Sequence, residues 1–163
     1  MAIRTRVGQG FDIHRFVEGS SDRMLVLGGV KFPGERPLAG HSDADVIAHA
    51  AADALLGAAA LGDIGMHFPD TDPQWAGANS LTLLAHVAKL VRNAGYEIGN
   101  VDCSIVCEQP KIAPHREAMQ KLLSEAAGAT ITVKGRRAEG LGALGREEGI
   151  ACWAVAVIER TQA

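Results

Sequence analysis

The chain has 163 residues, of which 47% are hydrophobic and 21% are charged, and its formal net charge is −3 at pH 7. This length suits one domain, residues 1–163, with the composition of an ordinary globular protein. The slight negative charge, without a basic stripe, argues against nucleic acid as a partner. No apolar run approaches the roughly 20 residues of a membrane helix, so a membrane is not expected as a partner either.

The first third of the chain predicts strands. A long strand is expected over residues 4–14, followed by a hairpin whose strands, residues 24–27 and 30–32, flank a glycine pair. In the long strand, alternation places Asp12 and His14 on one face, and we expect Phe11 and Ile13 to point into the core. Glycines near this pair permit a ligand or another backbone to approach closely.

An alanine-rich helix is predicted next. Ser42 is a suitable N-cap, and Ser42-x-x-Asp45 has the form of a capping box. The helix is expected to run to about Leu61 and to end at Gly62, because glycine commonly terminates helices.

The rest of the chain alternates strands and helices. Helices are predicted over residues 80–94 and between Pro114 and Gly128. Strands are predicted over residues 101–107, 130–134 and 150–158, and the last is so apolar that we expect it to be buried. This order predicts an α+β fold, with a mixed sheet covered by helices on one side.

A carboxylate and two imidazoles indicate a metal site. Asp12 and His14 share one face of the first strand, although an ordinary hydrogen-bonded pair is the alternative. In the helix, Asp45, His49 and Asp53 form a polar stripe on an otherwise apolar surface. Three protein ligands are one fewer than zinc usually takes, which is typical of a catalytic site with an open position. The spacing leaves open which acids contact the metal.

Two later stretches suit an anionic ligand. Residues 108–114 connect a strand to a helix, and such junctions expose backbone N–H groups that bind anions or base edges. Positive charge is concentrated by Lys134, Arg136, Arg137 and Arg146 in a glycine-rich stretch. That cluster is either a solvated basic patch or a phosphate-binding site.

The cysteines indicate a reducing compartment. Cys103, Cys107 and Cys152 lack metal-binding spacing and are predicted to be buried thiols. The amino-terminal segment has no apolar stretch after its charged residues, so no secretory signal is expected. These features predict a cytoplasmic protein.

Several motifs, in the same order over nearly the whole chain, resemble the 2-C-methyl-D-erythritol 2,4-cyclodiphosphate synthase family of the non-mevalonate isoprenoid pathway. The likeness is specific because many short motifs carry it together. They are Gly8-x-Gly10-Phe11-Asp12-x-His14, His41-Ser42-Asp43-x-Asp45-Val46, residues 53–65, Phe68-Pro69-Asp70-Thr71-Asp72-Pro73, Pro110-Lys111 and Gly149-Ile150-Ala151.

The resemblance implies a homotrimer of ferredoxin-like subunits with active sites between neighbours. It implies zinc bound by Asp12, His14 and His49. It further implies magnesium or manganese bound by Glu139 together with the substrate diphosphate. His41 is implied to lie near the phosphates.

The same likeness implies where a CDP-linked small-molecule substrate binds. Residues 68–72 are implied to form a mobile loop over it, and residues 107–113 to surround the cytosine. His41 and Arg137 are the implied catalytic residues. The implied substrate-binding residues are Asp12, His14, His41, Ser42, Asp63, Ile64, Gly65, Phe68, Pro69, Asp70, Thr71, Asp72, Cys107, Pro110, Lys111, Ala113, Arg136, Arg137, Ala138, Glu139, Ala143 and Arg146.

The implied reaction needs no protein nucleophile. The substrate is 4-diphosphocytidyl-2-C-methyl-D-erythritol 2-phosphate, whose own 2-phosphate attacks the β-phosphorus, closes a cyclic diphosphate and expels CMP. The chain would bend the substrate and neutralise its charge. A metal-dependent phosphoester hydrolase, and a non-catalytic trimer that binds nucleotides or isoprenoid phosphates, are the two alternatives.

The chain departs from the family pattern in one loop. After Lys134 the family usually has Ala-Thr-Thr-Thr-Glu, and this chain has Gly135-Arg136-Arg137-Ala138-Glu139. Arg137 replaces a threonine that is thought to help stabilise the transition state. Arginine can bind phosphate through two parallel hydrogen bonds, so the replacement is chemically compatible with the reaction. Glu147 likewise replaces a usual glycine.

Overall fold

The main sheet of the computed structural model, which describes residues 2–162, has four strands in the order β1-β6-β4-β5. They are β1 (Ala2–Arg15), β4 (Glu97–Val106), β5 (Thr130–Arg136) and β6 (Gly149–Gln162). β4 and β5 are parallel, whereas β6 is antiparallel to both β1 and β4. The predicted mixed sheet is therefore confirmed.

The predicted hairpin is also confirmed. Strands β2 (Leu25–Leu27) and β3 (Val30–Phe32) pair antiparallel around the two glycines. Gly28 has φ of 58° and Gly29 has φ of 78°, and both values belong to the left-handed region that a two-residue hairpin turn requires. Glycine adopts this region without steric cost.

The helices lie on one face of the main sheet. α1 (Val46–Ala59) packs on β1, β4 and β6, and α4 (Arg116–Ala127) packs on β5. α3 (Ser80–Asn93) packs on both of these helices. Two single-turn helices complete the set, α2 (Ile64–His67) and α5 (Gly142–Gly145). Within residues 2–162, no helix has the length and apolarity needed to cross a membrane.

The other face of the sheet is open in the isolated chain, and this corrects two predictions. Phe11 and Ile13 do not point into the core, because their side chains are 43% and 50% exposed on that open face. From Cys152 onward, strand β6 is buried only at alternate positions, since Trp153 and Val155 are 41% and 46% exposed. Side chains alternate across a strand, so the open face receives every second apolar residue.

The N-cap of α1 is Asp45, not Ser42, which corrects a third prediction. One Asp45 oxygen accepts the backbone N–H groups of Ile47 and Ala48, at 3.1 and 3.2 Å. The helix ends at Ala59, two residues before the expected Leu61, and Ala60 is its C-cap. Ser42 cannot cap it because it lies three residues before the N-cap position.

Glycines let α1 approach β1 at backbone contact. A Cβ atom at Gly10 would lie 2.0 Å from the carbonyl oxygen of Ala50, and one at Gly8 would lie 2.1 Å from that of Ala54. No side chain fits between these backbones. The close approach anticipated from the sequence is thus made by a second backbone, that of α1.

Gly8→Ala is expected to lower the free energy of unfolding by more than the roughly 1–3 kcal/mol that overpacking usually costs. The reason is that its clash is with helix backbone, which cannot move aside as a side chain can. Urea denaturation measures the change. Gly57→Ala is the matched control, because its Cβ would meet only Gln9 at 3.8 Å. That control should be neutral or stabilising, as alanine is the better helix former. Equal stability of the two variants would contradict the packing argument.

Candidate active site

Three predicted ligands converge on one point. Oδ2 of Asp12 lies 3.1 Å from Nε2 of His14 and 3.0 Å from Nδ1 of His49, and the two imidazole nitrogens are 3.4 Å apart. Donor atoms of a tetrahedral zinc site, with bonds of about 2.0–2.1 Å, are separated by about 3.3 Å. The observed spacings match that value, so the three residues fit a divalent cation with one position left for another ligand.

Hydrogen bonds fix which ring nitrogen of each histidine faces the cation. Nδ1 of His14 donates to the carbonyl oxygen of Ala39 at 2.8 Å, which leaves Nε2 with a free lone pair. The hydroxyl of Ser80 donates to Asp43, so this hydroxyl accepts from Nε2 of His49 at 2.7 Å. His49 therefore presents the lone pair of Nδ1. Such outer partners orient metal ligands and raise their basicity.

The ligand group is electrostatically coupled. Burial alone would raise the pKa of Asp12, but hydrogen bonds and charge from His14 and His49 hold it well below its usual range. Burial opposes the positive form of His14, yet its hydrogen bond to Asp12 raises the pKa of this imidazole above 6.5. Asp12 is therefore a carboxylate throughout the neutral range. A divalent cation and a proton on His14 compete for this negative charge.

The two other acids of the helix stripe hold backbone instead of metal. Asp45 accepts the N–H groups of Gly28 and Gly29 at 2.8 and 2.7 Å, in addition to capping α1. Asp53 accepts the N–H of Ile64 at 3.1 Å and so fixes the start of α2. Of the alternatives that the sequence left open, His49 is the stripe residue in the metal cluster.

The metal ligands open into a pocket of about 290 Å³. His41 lies in its wall, and Nε2 of this ring donates to the carbonyl oxygen of Asp72 at 2.9 Å. Phe68 is buried there against Trp75, with ring centroids 4.9 Å apart. Six predicted substrate-binding residues line this metal pocket besides Asp12 and His14: His41, Ser42, Ile64, Gly65, Phe68 and Asp70.

A second pocket, also about 290 Å³, lies where β4 and β5 end. These strands are parallel, so the loops that follow them meet at the same edge of the sheet. Four cations, Lys111, Arg116, Arg136 and Arg137, surround it. The predicted residues that line this pocket, called the nucleotide pocket after the ligand expected there, are Cys107, Pro110, Lys111, Ala113, Arg136 and Arg137.

The remaining predicted residues lie outside both linings. Asp63 caps α2 by accepting the N–H of Met66 at 2.9 Å. Arg146 pairs with Glu148 at 2.8 Å and lines a separate hollow. Glu139 is exposed and has a φ of 55°. The others in this group are Pro69, Thr71 and Asp72 beside the metal pocket, Ala138 after the nucleotide pocket, and Ala143 in α5.

Apart from Ser42, whose hydroxyl lies 3.1 Å from Nε2 of His49, the residues that orient the histidines are not marked by sequence patterns. Ser80 and Asp43 hold His49, but each lies at a helix start, where its polar side chain already has a local explanation. Ala39 acts through its backbone carbonyl, which no sequence pattern marks. Trp75 and Leu83 also line the metal pocket and carried no signal beyond their apolar character.

Fold and site together define an α+β protein with an open site for a divalent cation. The chain belongs to the YgbB family, whose model matches residues 5–159. It is 52% identical over 161 residues to the 2-C-methyl-D-erythritol 2,4-cyclodiphosphate synthase of Geobacillus thermodenitrificans, covering 97% of this chain and 99% of that one. The synthase of Trichlorobacter lovleyi is 53% identical over 156 residues, covering 94% and 98%.

Solved structures agree with these relatives. The bifunctional IspDF from Campylobacter jejuni matches with a TM-score of 0.91 and 37% identity, over 99% of this chain and 44% of that one. IspF from Plasmodium falciparum in complex with CDP matches with a TM-score of 0.83 and 34% identity, over 97% of each chain.

Zinc affinity is expected to fall on acidification. The hydrogen bond to Asp12 raises the pKa of His14 against the effect of burial, so its neutral, metal-binding form is lost at a higher pH than that of a free imidazole. A free imidazole, with a pKa of about 6.5, is only about one tenth neutral at pH 5.5, so affinity should fall at least about tenfold from pH 8. Competition with a chromophoric chelator, corrected for its own protonation, measures this change. A pH-independent affinity would contradict the assigned ligand set.

Proposed function

We propose that the chain converts 4-diphosphocytidyl-2-C-methyl-D-erythritol 2-phosphate into 2-C-methyl-D-erythritol 2,4-cyclodiphosphate and CMP. The observation that carries this proposal is the convergence of Asp12, His14 and His49, with one open position facing a pocket, in a chain of this family. The relatives reported above are 2-C-methyl-D-erythritol 2,4-cyclodiphosphate synthases by name, and they match nearly the full chain.

The chemistry is an intramolecular phosphoryl transfer. An oxygen of the 2-phosphate forms a bond to the β-phosphorus, and the bond between that phosphorus and the bridging oxygen breaks. CMP leaves with the bridging oxygen, so no water is consumed. Well-oriented intramolecular groups reach effective molarities of about 10⁵–10⁸ M, which removes roughly 7–11 kcal/mol from the barrier. The chain therefore contributes mainly orientation and charge neutralisation.

In this proposal Asp12, His14 and His49 would hold zinc, and Glu139 would hold magnesium or manganese together with the substrate diphosphate. When bound, these cations would supply neutralisation of phosphate charge. His41 lies in the wall of the metal pocket, and its ring is proposed to contact the phosphates. Phe68 and Asp70 line the same pocket and belong to the segment that is proposed to cover the substrate.

The nucleotide pocket is proposed to bind the CDP half of the substrate. Backbone groups of residues 107–113 suit the base edges, and the four cations around the pocket suit the diphosphate. Arg136 and Arg137 replace hydroxyl groups, and guanidinium groups bind phosphate at least as well as hydroxyls do. The departure from the family pattern thus changes the donor without removing the contact.

We further propose that the chain forms a homotrimer of ferredoxin-like subunits, with each active site between two neighbours. Two observations support this assembly. The metal pocket and the nucleotide pocket have no lining residue in common, so one chain offers two halves of a site. In addition, Val7, Phe11, Ile13 and Trp153 form an exposed apolar surface on the open face of the sheet, which suits burial against other subunits.

A cytoplasmic location is proposed as well. Cys103, Cys107 and Cys152 are all buried, free thiols. Burial, with the neighbouring charge of Glu108, raises the pKa of Cys107 to about 12, so this group is an inert thiol at neutral pH. Buried free thiols suit a reducing compartment.

The reaction is tested by its products. Phosphorus NMR of the purified chain with zinc, magnesium and the CDP-linked substrate should show a cyclic diphosphate and CMP. His49→Ala should lose zinc and lower turnover at least about 100-fold, because even the outer partners of metal ligands cost roughly 10–100-fold. His115→Ala is the matched control, since this histidine packs on Phe32 away from the metal pocket, and it should retain zinc.

Two outcomes would overturn the proposed reaction. Free monophosphate without a cyclic product would indicate a hydrolase. Tight binding of CDP without turnover, at saturating zinc and magnesium, would indicate a non-catalytic binding protein. Full turnover by His49→Ala in metal-depleted buffer would remove His49 from the ligand set.

The assembly is tested by solution mass. Light scattering of the wild-type chain should give three times the mass of one chain. Val7→Lys is expected to lower this mass, because it places a charge on the exposed apolar face, where Val7 is 65% exposed. Lys89→Glu, an exposed change on α3 away from this face, should leave the mass unchanged. A monomeric wild-type chain with full turnover would contradict a site shared between subunits.

A further inference from the structure

Glu108 joins the two loops that form the nucleotide pocket. The loops are adjacent because the N–H of Cys107 donates to the carbonyl oxygen of Arg136 at 3.0 Å. One residue further, Oε1 of Glu108 accepts the N–H of Ala138 at 2.7 Å. Its other oxygen lies 3.4 Å from Nε of Arg137. A single carboxylate thus contacts both the backbone and a side chain of the opposite loop.

The side chains of Glu108 and Arg137 differ in their exposure to solvent. The side chain of Glu108 is only 10% exposed, whereas that of Arg137 is 65% exposed. The carboxylate is held by the partly buried hydrogen bond from the Ala138 N–H, whereas the guanidinium is mostly exposed. Among residues 2–162 the side chain of Arg137 makes no hydrogen bond, so the pairing with Glu108 is the contact that limits its direction.

The negative charge of Glu108 is opposite in sign to the other charged side chains that line the pocket. Lys111, Arg116, Arg136 and Arg137 give the lining four positive charges, which suits an anion. A carboxylate in the same lining lowers that attraction, so its presence calls for a second role. Its contact with Nε of Arg137 provides a reason, because a contact through Nε leaves the terminal nitrogens of the guanidinium available to an anion.

We infer that Glu108 is a positioning residue that directs the Arg137 guanidinium toward the diphosphate bound in this pocket. This inference rests on the proposed function, and it deepens the account of the replaced threonine. A threonine hydroxyl is fixed by its short side chain, whereas a long arginine needs an external constraint. Glu108 supplies this constraint and fixes the Ala138 backbone at the same time.

The first test compares two probes of the pocket. CDP and cytidine share the base, but only CDP carries the diphosphate. Glu108→Gln keeps an oxygen acceptor for the Ala138 N–H and removes the charge that faces Arg137. Calorimetry should show a loss of about threefold to tenfold in CDP affinity, with cytidine affinity unchanged. A gain in CDP affinity would overturn the inference, because Glu108 would then only oppose the anion.

A double-mutant cycle separates positioning from a general structural effect. In the Arg137→Thr background, Glu108→Gln should cause no further loss of CDP affinity, because the group that it directs is gone. An equal loss in both backgrounds would contradict the inference and assign Glu108 a structural role. Glu125→Gln is the matched control, an exposed glutamate of α4 outside the pocket, and it should leave both affinities unchanged.

These measurements also separate the inference from the proposed reaction. Binding of CDP is measured without turnover, so an inactive chain that shows the coupling would retain the inference and lose the reaction. Conversely, an active wild-type chain without coupling between Glu108 and Arg137 would retain the reaction and lose the inference.

Discussion

The contact between α1 and the first strand is the constraint on which the candidate site depends. Gly8 and Gly10 remove the side chains that would separate the two backbones, so the helix lies directly on the strand. His49 precedes Ala50, the residue whose carbonyl touches the Gly10 position. The imidazole therefore reaches Asp12 and His14 at coordinating distance. A helix held further away by side chains would separate His49 from Asp12 and His14, which share one face of β1.

The four acids near α1 have different roles, because some face backbone N–H groups and one faces imidazoles. Asp43, Asp45 and Asp53 accept backbone N–H groups and thereby hold α3, the hairpin turn and α2 in place. Asp12 instead faces one nitrogen of each of two imidazoles, and these nitrogens are ligand atoms that zinc takes in proteins. Buried backbone donors need partners, so the first three carboxylates already have a structural role. Of the four acids, only Asp12 has partners that are themselves metal ligands.

Two features of the chain's surface are explained together by the proposed assembly. One is the open, apolar face of the sheet, and the other is the separation of the metal pocket from the nucleotide pocket. A phosphoryl transfer on one substrate needs cations and nucleotide contacts at the same place. In the proposed assembly, the open faces of several copies would pack together and bury apolar surface. The same packing would bring the pockets of neighbouring chains together, so one assembly would account for both features.

The sequence by itself determined the α+β order, the hairpin, the chemical type of the metal ligands and the cationic loop. These follow from local periodicity, glycine pairs and side-chain chemistry, which short segments carry. Only the tertiary structure decided that Asp45 and Asp53 serve the backbone, that Phe11 and Ile13 lie on an open face, and that Ser80 orients His49. These outcomes depend on which elements meet across the fold. Alternation in a strand defines two faces, and only the packing of α1 decides which one is covered.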